Sequence, residues 1–203
     1  MRVGDFSIRI ATLLVITPLI SLSQAGQAGA RRAFNLFSPK QEMEIGGQSS
    51  IAVEKRLPLL SDAGVNEYVN RIGQTLITRA PGERYPYSFK IVNVSEVNVF
   101  AFPGGPIYIT RGAIEAARSE GELAGALAHE IAHVALRHGA SQASKAYLSK
   151  AGLGALGGLV GEGAAPNVIG AIGGFGFNTV FLKHGPEAGA GGHALGAQIL
   201  TPA

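Results

Sequence analysis

The 203-residue chain contains no cysteine. That excludes a disulfide scaffold, a thiol nucleophile and any cysteine-ligated metal, so a metal here has to be held by His, Asp or Glu. Charge is scarce too: charged residues make up 15% of the chain and the formal net charge is +3. The 17 basic residues are scattered without a run, which lacks the electrostatic footprint of a nucleic-acid binder. No internal repeat is present, and the length suits one ordinary domain with a real core.

No apolar run at the N-terminus is long enough for a comfortable membrane span, which needs about 20 residues. The run from Ile10 to Ile20 is flanked by Arg2 and Arg9 and followed by the small residues Ser23, Ala25 and Gly26. This is the layout of a secretory signal over residues 1–25, cleaved after Ala25 or, as a second choice, after Ala28. An uncleaved membrane anchor is the alternative. The expectation is export, without a lipoprotein anchor, because no cysteine follows.

The chain does have His129-Glu130-Ile131-Ala132-His133, a His-Glu-x-x-His sequence. Residues four apart share one face of a helix, so two imidazoles can grip one cation while the intervening glutamate faces its water. The surroundings predict such a helix. Ser119 followed by Glu122 is a capping box, and Leu123, Ala126, Leu127, Ala128, Ile131, Val134 and Ala135 give a mostly apolar body. Gly139 is a plausible stop. Two histidines and a glutamate deep in an apolar helix would cost several kcal/mol if left without partners, and a metal removes that cost. The other reading is a pair of satisfied core histidines. His138, nine residues after His129, falls off the ligand face and reads as a helix C-terminal group near the last carbonyls.

Before this segment, Ser38-Pro39-Lys40-Gln41 predicts a helix from Pro39 to about Arg56. A second is expected after Ser61-Asp62, with Val65, Tyr68, Val69, Ile72, Leu76 and Ile77 at helical spacing. Tyr87 to Val94, Val97 to Phe102 and Ile107 to Thr110 read as strands, the last two joined through Pro103-Gly104-Gly105-Pro106. The order helix–helix–strand–strand–strand–helix argues for an α+β domain, mostly helical, with a small sheet beside the His-Glu-x-x-His helix. The strand from Val97 to Phe102 is either an edge that aligns a substrate backbone or an ordinary hairpin strand. Residues 151–177 are rich in glycine and small apolar residues, with Glu162 as the one charge. They read as an apolar cover beside the site, able to rest on a membrane surface, or as a loosely packed helical hairpin.

Several stretches taken together resemble the zinc metallopeptidases of the HtpX and CAAX-prenyl-protease type, most closely their exported, BepA-like branch. These are Gln41-Glu42-Met43-Glu44-Ile45-Gly46, Asn98-Val99-Phe100-Ala101-Phe102-Pro103-Gly104-Gly105, and Glu120-Gly121-Glu122-Leu123-Ala124 leading into His129 to Val134 and Arg137-His138. The similarity runs from about residue 38 to 203. It implies a zincin-like metallopeptidase domain over residues 38–203, one Zn2+ ion held by His129 and His133, Glu130 as general base, polypeptide substrates, and a periplasmic location. The implied activity is endoproteolysis of misfolded or unassembled bacterial envelope proteins.

The resemblance also implies a third ligand, a glutamate four residues before an aspartate on a later helix. Counting back from Gly196 puts that glutamate at Gly189 and the aspartate at His193, so neither acid is present. His193 can substitute if the helix shifts by one turn, since positions 189 and 193 share a face; Glu187 would need a different register. The alternative function is therefore an inactive peptidase-like binding protein or chaperone that keeps the peptide groove. Relatives continue beyond Thr201-Pro202-Ala203, so a truncated C-terminus is expected.

Overall fold

The computed structural model describes residues 34–151 and 186–201. The expected signal at 1–25 and nearly all of the glycine-rich cover at 151–177 lie outside the described residues.

Helix α1, Pro39–Glu54, starts as its sequence predicts. The Ser38 hydroxyl accepts from the Gln41 N–H at 3.3 Å and the Gln41 side-chain oxygen accepts from the Ser38 N–H at 2.9 Å, which satisfies two donors that a helix start leaves open. Helix α2, Ala63–Ile77, is capped by Asp62, whose carboxylate accepts from the Val65 N–H at 2.9 Å. Its stripe of Val69, Ile72 and Leu76 is buried, with Val65, Tyr68 and Ile77 packed at the margin.

The three strands are β1 (Ser88–Val92), β2 (Val99–Ala101) and β3 (Pro106–Thr110). They form a mixed sheet in the order β1-β3-β2. β1 and β3 run parallel from Ser88 opposite Pro106 to Val92 opposite Thr110, and β2 pairs antiparallel with β3, Phe100 opposite Tyr108. The β2–β3 turn passes through Gly104 (φ 78°) and Gly105 (φ 120°), a region where side chains are strained. Gly104 is needed for space as well, since a Cβ there would lie 2.6 Å from the Met43 nitrogen of α1.

Both faces of the sheet are covered. Phe89, Ile91, Ala101, Ile107 and Ile109 pack with α2 and with Leu127 and Ile131 of helix α4, Glu120–Ala135. On the other face Val92, Phe100, Phe102 and Tyr108 pack with Phe37, Ile45 and Val53 around α1 and with Ala143 and Tyr147 of helix α5, His138–Ala151. The fold is mostly helical with a small sheet beside α4, as the sequence predicts. A short helix α3, Arg111–Ala116, follows β3 directly and is not foreseen. The last described helix, α6, spans Pro186–Leu200 and lies along α4, with Leu195, Ile199 and Leu200 in the same core.

The end of α4 differs from the expectation. Gly139 is not the stop: it lies inside α5. The chain leaves α4 at Leu136 and turns at Arg137, which adopts φ 59°.

Candidate active site

Ser119 starts α4, its hydroxyl accepting from the Glu122 N–H at 3.2 Å. One face of the helix then drives Leu123, Leu127, Ala128, Ile131 and Ala132 into the core. His129 and His133 project from the same side one turn apart. Their Nε2 atoms approach to 3.0 Å and their ring centroids stand 4.5 Å apart. His129 is half-buried and His133 is buried.

Glu130 is buried at 5% exposure. The backbone N–H of Ala101, at the end of β2, is its hydrogen-bond donor, while its Oε2 is buried with no hydrogen-bond partner. Burial pushes its carboxyl up to about 8, against the opposing pull of the Ala101 N–H. Desolvation and, after it, the nearby His193 hold the His129 imidazole below its ordinary value.

His138 does not serve the helix end as the sequence suggests. Its Nδ1 lies 2.9 Å from Nδ1 of His133, because the left-handed turn at Arg137 reverses the chain and brings the next side chain back over α4. When Nε2 of His133 offers its lone pair, the ring proton sits on Nδ1 and donates to His138, which fixes the orientation of the ring. The adjacency of Arg137 and His138 just after the apolar helix is the one sequence trace of this contact.

Helix α6 completes the surroundings. A Cβ at Gly192 would lie 2.5 Å from His133 Nε2, and one at Gly196 would lie 3.2 Å from the His129 Cα. The α6 backbone therefore rests on the two histidines: a side chain at Gly192 would collide with the His133 ring, and one at Gly196 would be tight against the α4 backbone. His193 is exposed, with its ring centroid 4.6 Å from that of His129. Gly189 is in the helix and brings no donor; Glu187 is in its first turn.

These residues test how well a zinc ion fits. Two imidazole nitrogens 3.0 Å apart, with an unpartnered buried carboxylate oxygen on the intervening residue, match the His-Glu-x-x-His part of a zinc donor set. Among the described residues no group of three His, Asp or Glu side chains is arranged to hold a metal ion. The third donor is thus the incomplete part of the fit, and His193 is the imidazole that α6 brings up to it.

Residues 64–179, more than half of the chain, match peptidase family M48, and the chain belongs to that family. The match ends before α6. Over 106 residues the chain is 33% identical to the beta-barrel assembly-enhancing protease of Escherichia coli K12, covering 52% of this chain and 22% of that protein. The Yersinia pestis protein of the same name is 36% identical over 102 residues, 50% of this chain and 21% of that one. The mitochondrial metalloendopeptidase OMA1 of Schizosaccharomyces pombe is 29% identical over 75 residues, 37% and 22% of the two chains. The chain spans about a fifth of the length of these relatives. M48 peptidases are typically zinc-dependent, and membership implies metalloendopeptidase chemistry on polypeptides. Among the described residues no helix is long and apolar enough to cross a membrane.

Proposed function

We propose that the chain is a zinc-dependent endopeptidase of zincin-like architecture, exported to the periplasm, that acts on misfolded or unassembled envelope proteins. The observation that carries the chemistry is the convergence of the His129 and His133 Nε2 atoms at 3.0 Å beside the buried, unpartnered Glu130 oxygen. The envelope substrates and the location rest on the resemblance to the exported branch and on relatives whose name is beta-barrel assembly-enhancing protease.

His129 and His133 would hold the ion, and His193, whose ring centroid stands 4.6 Å from that of His129, is the candidate for the third donor. Zinc, when bound, supplies Lewis-acid polarisation of the scissile carbonyl and acidifies a water. Glu130 takes the proton of the attacking water and delivers it to the leaving amine. The Ala101 N–H holds the Glu130 carboxylate in place, and His138 orients His133. Glu130 and His133 are buried, which strengthens the polar interactions they make.

Glu130→Gln is the test. Turnover of an unfolded protein substrate should vanish while zinc content is unchanged, because the amide cannot accept the proton. Full activity in that variant would remove Glu130 from the mechanism.

A second reading has its own observation. With a glycine at 189 and the α6 backbone on His133, the site is short of an acidic donor, as expected of a peptidase-like protein that binds polypeptides without cutting them. Zinc well below one equivalent in purified protein, with no chelator-sensitive proteolysis, would favour it.

A further inference from the structure

Helix α6 runs antiparallel along α4 in matched steps of one turn. A Cβ at Gly192 would meet the His133 ring and one at Gly196 the His129 backbone, while the Leu200 side chain lies 3.8 Å from where a Cβ on Gly125 would be. In this register His193, next to Gly192, has its ring centroid 4.6 Å from that of His129. A shift of one turn, about 5.4 Å, would bring Leu200 against His129 in place of Gly196. The register of α6 thus decides which of its residues meets the two imidazoles.

Helix propensity does not hold that register. Gly189, Gly191, Gly192 and Gly196 all fall inside α6, and glycine is among the weakest helix formers. Its far end is fastened instead. The last four carbonyls of a helix have no partner within it, and here each finds one. Ala197 accepts from the Thr201 N–H at 3.2 Å and from the Thr201 hydroxyl at 3.1 Å, and Gln198 from that hydroxyl at 3.4 Å. Ile199 and Leu200 both accept from Nη1 of Arg79, each at 3.3 Å.

Arg79 comes from the end of α2, where its own N–H donates to the Leu76 carbonyl at 3.0 Å. Leu76 and Ile199 are buried in the same core, so both sides of the contact are anchored. Nη1 carries two N–H groups, one for each carbonyl, and the guanidinium charge sits at the negative end of the α6 dipole.

We propose that Arg79 is a positioning residue for the metal site: by tying the carbonyl end of α6 to α2 it sets the register in which Gly192 and His193 meet His133 and His129. The consequence for metal rests on the zinc reading of the site; the tie between the helices does not. Arg79 is exposed, so replacing it leaves the core packed and removes the two hydrogen bonds and the charge alone.

The test measures amide hydrogen exchange of α6 in chelator-treated full chain, and zinc affinity by chelator competition. In Arg79→Met the amides of the last turn of α6 should exchange about tenfold faster, the scale of losing hydrogen bonds to a charged donor. Zinc affinity should fall about tenfold, as when a group that orients a ligand is lost. Arg79→Lys, which keeps the charge and can still donate, should recover part of both. Lys90→Met, which breaks the ion pair with Glu54 (2.6 Å) on the other face of the sheet, is the control: it should lower the thermal midpoint and leave zinc affinity unchanged. Unchanged α6 exchange in Arg79→Met overturns the proposal, as does faster exchange with unchanged zinc affinity, or an equal loss of affinity in Lys90→Met. Faster α6 exchange in Arg79→Met of a chain that binds no zinc even when unaltered supports the tie and overturns the peptidase reading instead.

Discussion

Arg137 reaches back 95 residues to Glu42: its Nε donates to Oε1 at 2.8 Å, and its Nη2 lies 2.5 Å from the same oxygen. Nη2 also donates to the Phe37 carbonyl at 2.6 Å. Glu42 is 1% exposed and takes two further hydrogen bonds, from Asn35 and from Tyr85. This network holds Arg137 at φ 59°, a backbone conformation that a residue with a side chain seldom adopts. It thereby fixes the joint between α4 and α5.

Removing the cation should be costly. Arg137→Met leaves the Glu42 carboxylate buried with only neutral partners, and the expected loss is about 3–5 kcal/mol of unfolding free energy. Glu42→Gln keeps an acceptor for Tyr85 and Arg137 and should lose less. Urea unfolding of both variants checks this; a loss under about 1 kcal/mol for Arg137→Met would show that the pair does not hold the joint.

The same joint sets His138 on His133. His138→Ala should leave the fold intact yet weaken zinc binding about 10–100-fold, the usual effect of losing the partner that orients a metal-bound imidazole. His138→Asn, whose side-chain oxygen can still accept from Nδ1, should recover part of the affinity. Chelator competition reads both, and equal affinity for the Ala variant and the unaltered protein would leave His138 without an orienting role.

How much of this was legible depended on how local the cause was. The caps at Ser38, Asp62 and Ser119 are each written within four residues, and the structure uses all three. The spacing of His129 and His133 is equally local, and it brought the two rings together. Helix α3 was missed because six residues carry no period and its cap, Thr110, is also the last residue of β3. The end of α4 was misplaced because left-handed turns are normally marked by glycine. At Arg137 the turn is instead stabilised by Glu42, a partner no local window contains. Helix α6 has the glycine content of a poor helix, but Gly192 and Gly196 are what let it seat against α4.

That seating predicts an outcome at Gly192. An alanine methyl would lie 2.5 Å from His133 Nε2, closer than any real contact. Gly192→Ala gains helix propensity of about 1 kcal/mol but has to displace either α6 or the ring, at about 1–3 kcal/mol. The thermal midpoint should fall and zinc affinity should fall with it. A stabilised protein with unchanged zinc binding would mean that α6 does not sit on His133.

Glu130 makes a prediction for protein stripped of metal. Burial lifts its carboxyl from an ordinary 4.5 to about 8, so folding takes up a proton between those values. Its contribution is fully present below about pH 4.5 and is lost as pH rises through about 8. With chelator present, the difference in thermal midpoint between Glu130→Gln and the unaltered protein should grow in favour of the amide over that interval. A difference independent of pH would mean that the carboxyl is not held in a desolvating site.

The third donor separates the two functional readings most sharply. If His193 completes the set, His193→Ala should lower zinc affinity by orders of magnitude, and a cobalt-substituted protein should lose its four-coordinate visible absorption. If instead the site has only two donors, His193→Ala should change nothing. Gly189→Glu should then raise zinc binding to one equivalent, because it adds an acid at the position implied by the family resemblance, one turn from His193 on the same helix face. The same substitution removes a helix glycine, worth about 1 kcal/mol, so stability alone is not the readout; metal stoichiometry is. Chelator-sensitive proteolysis appearing only with Gly189→Glu would identify a peptidase scaffold that has lost its acid. Proteolysis already present in the unaltered chain and abolished by His193→Ala would assign the third nitrogen to the working enzyme.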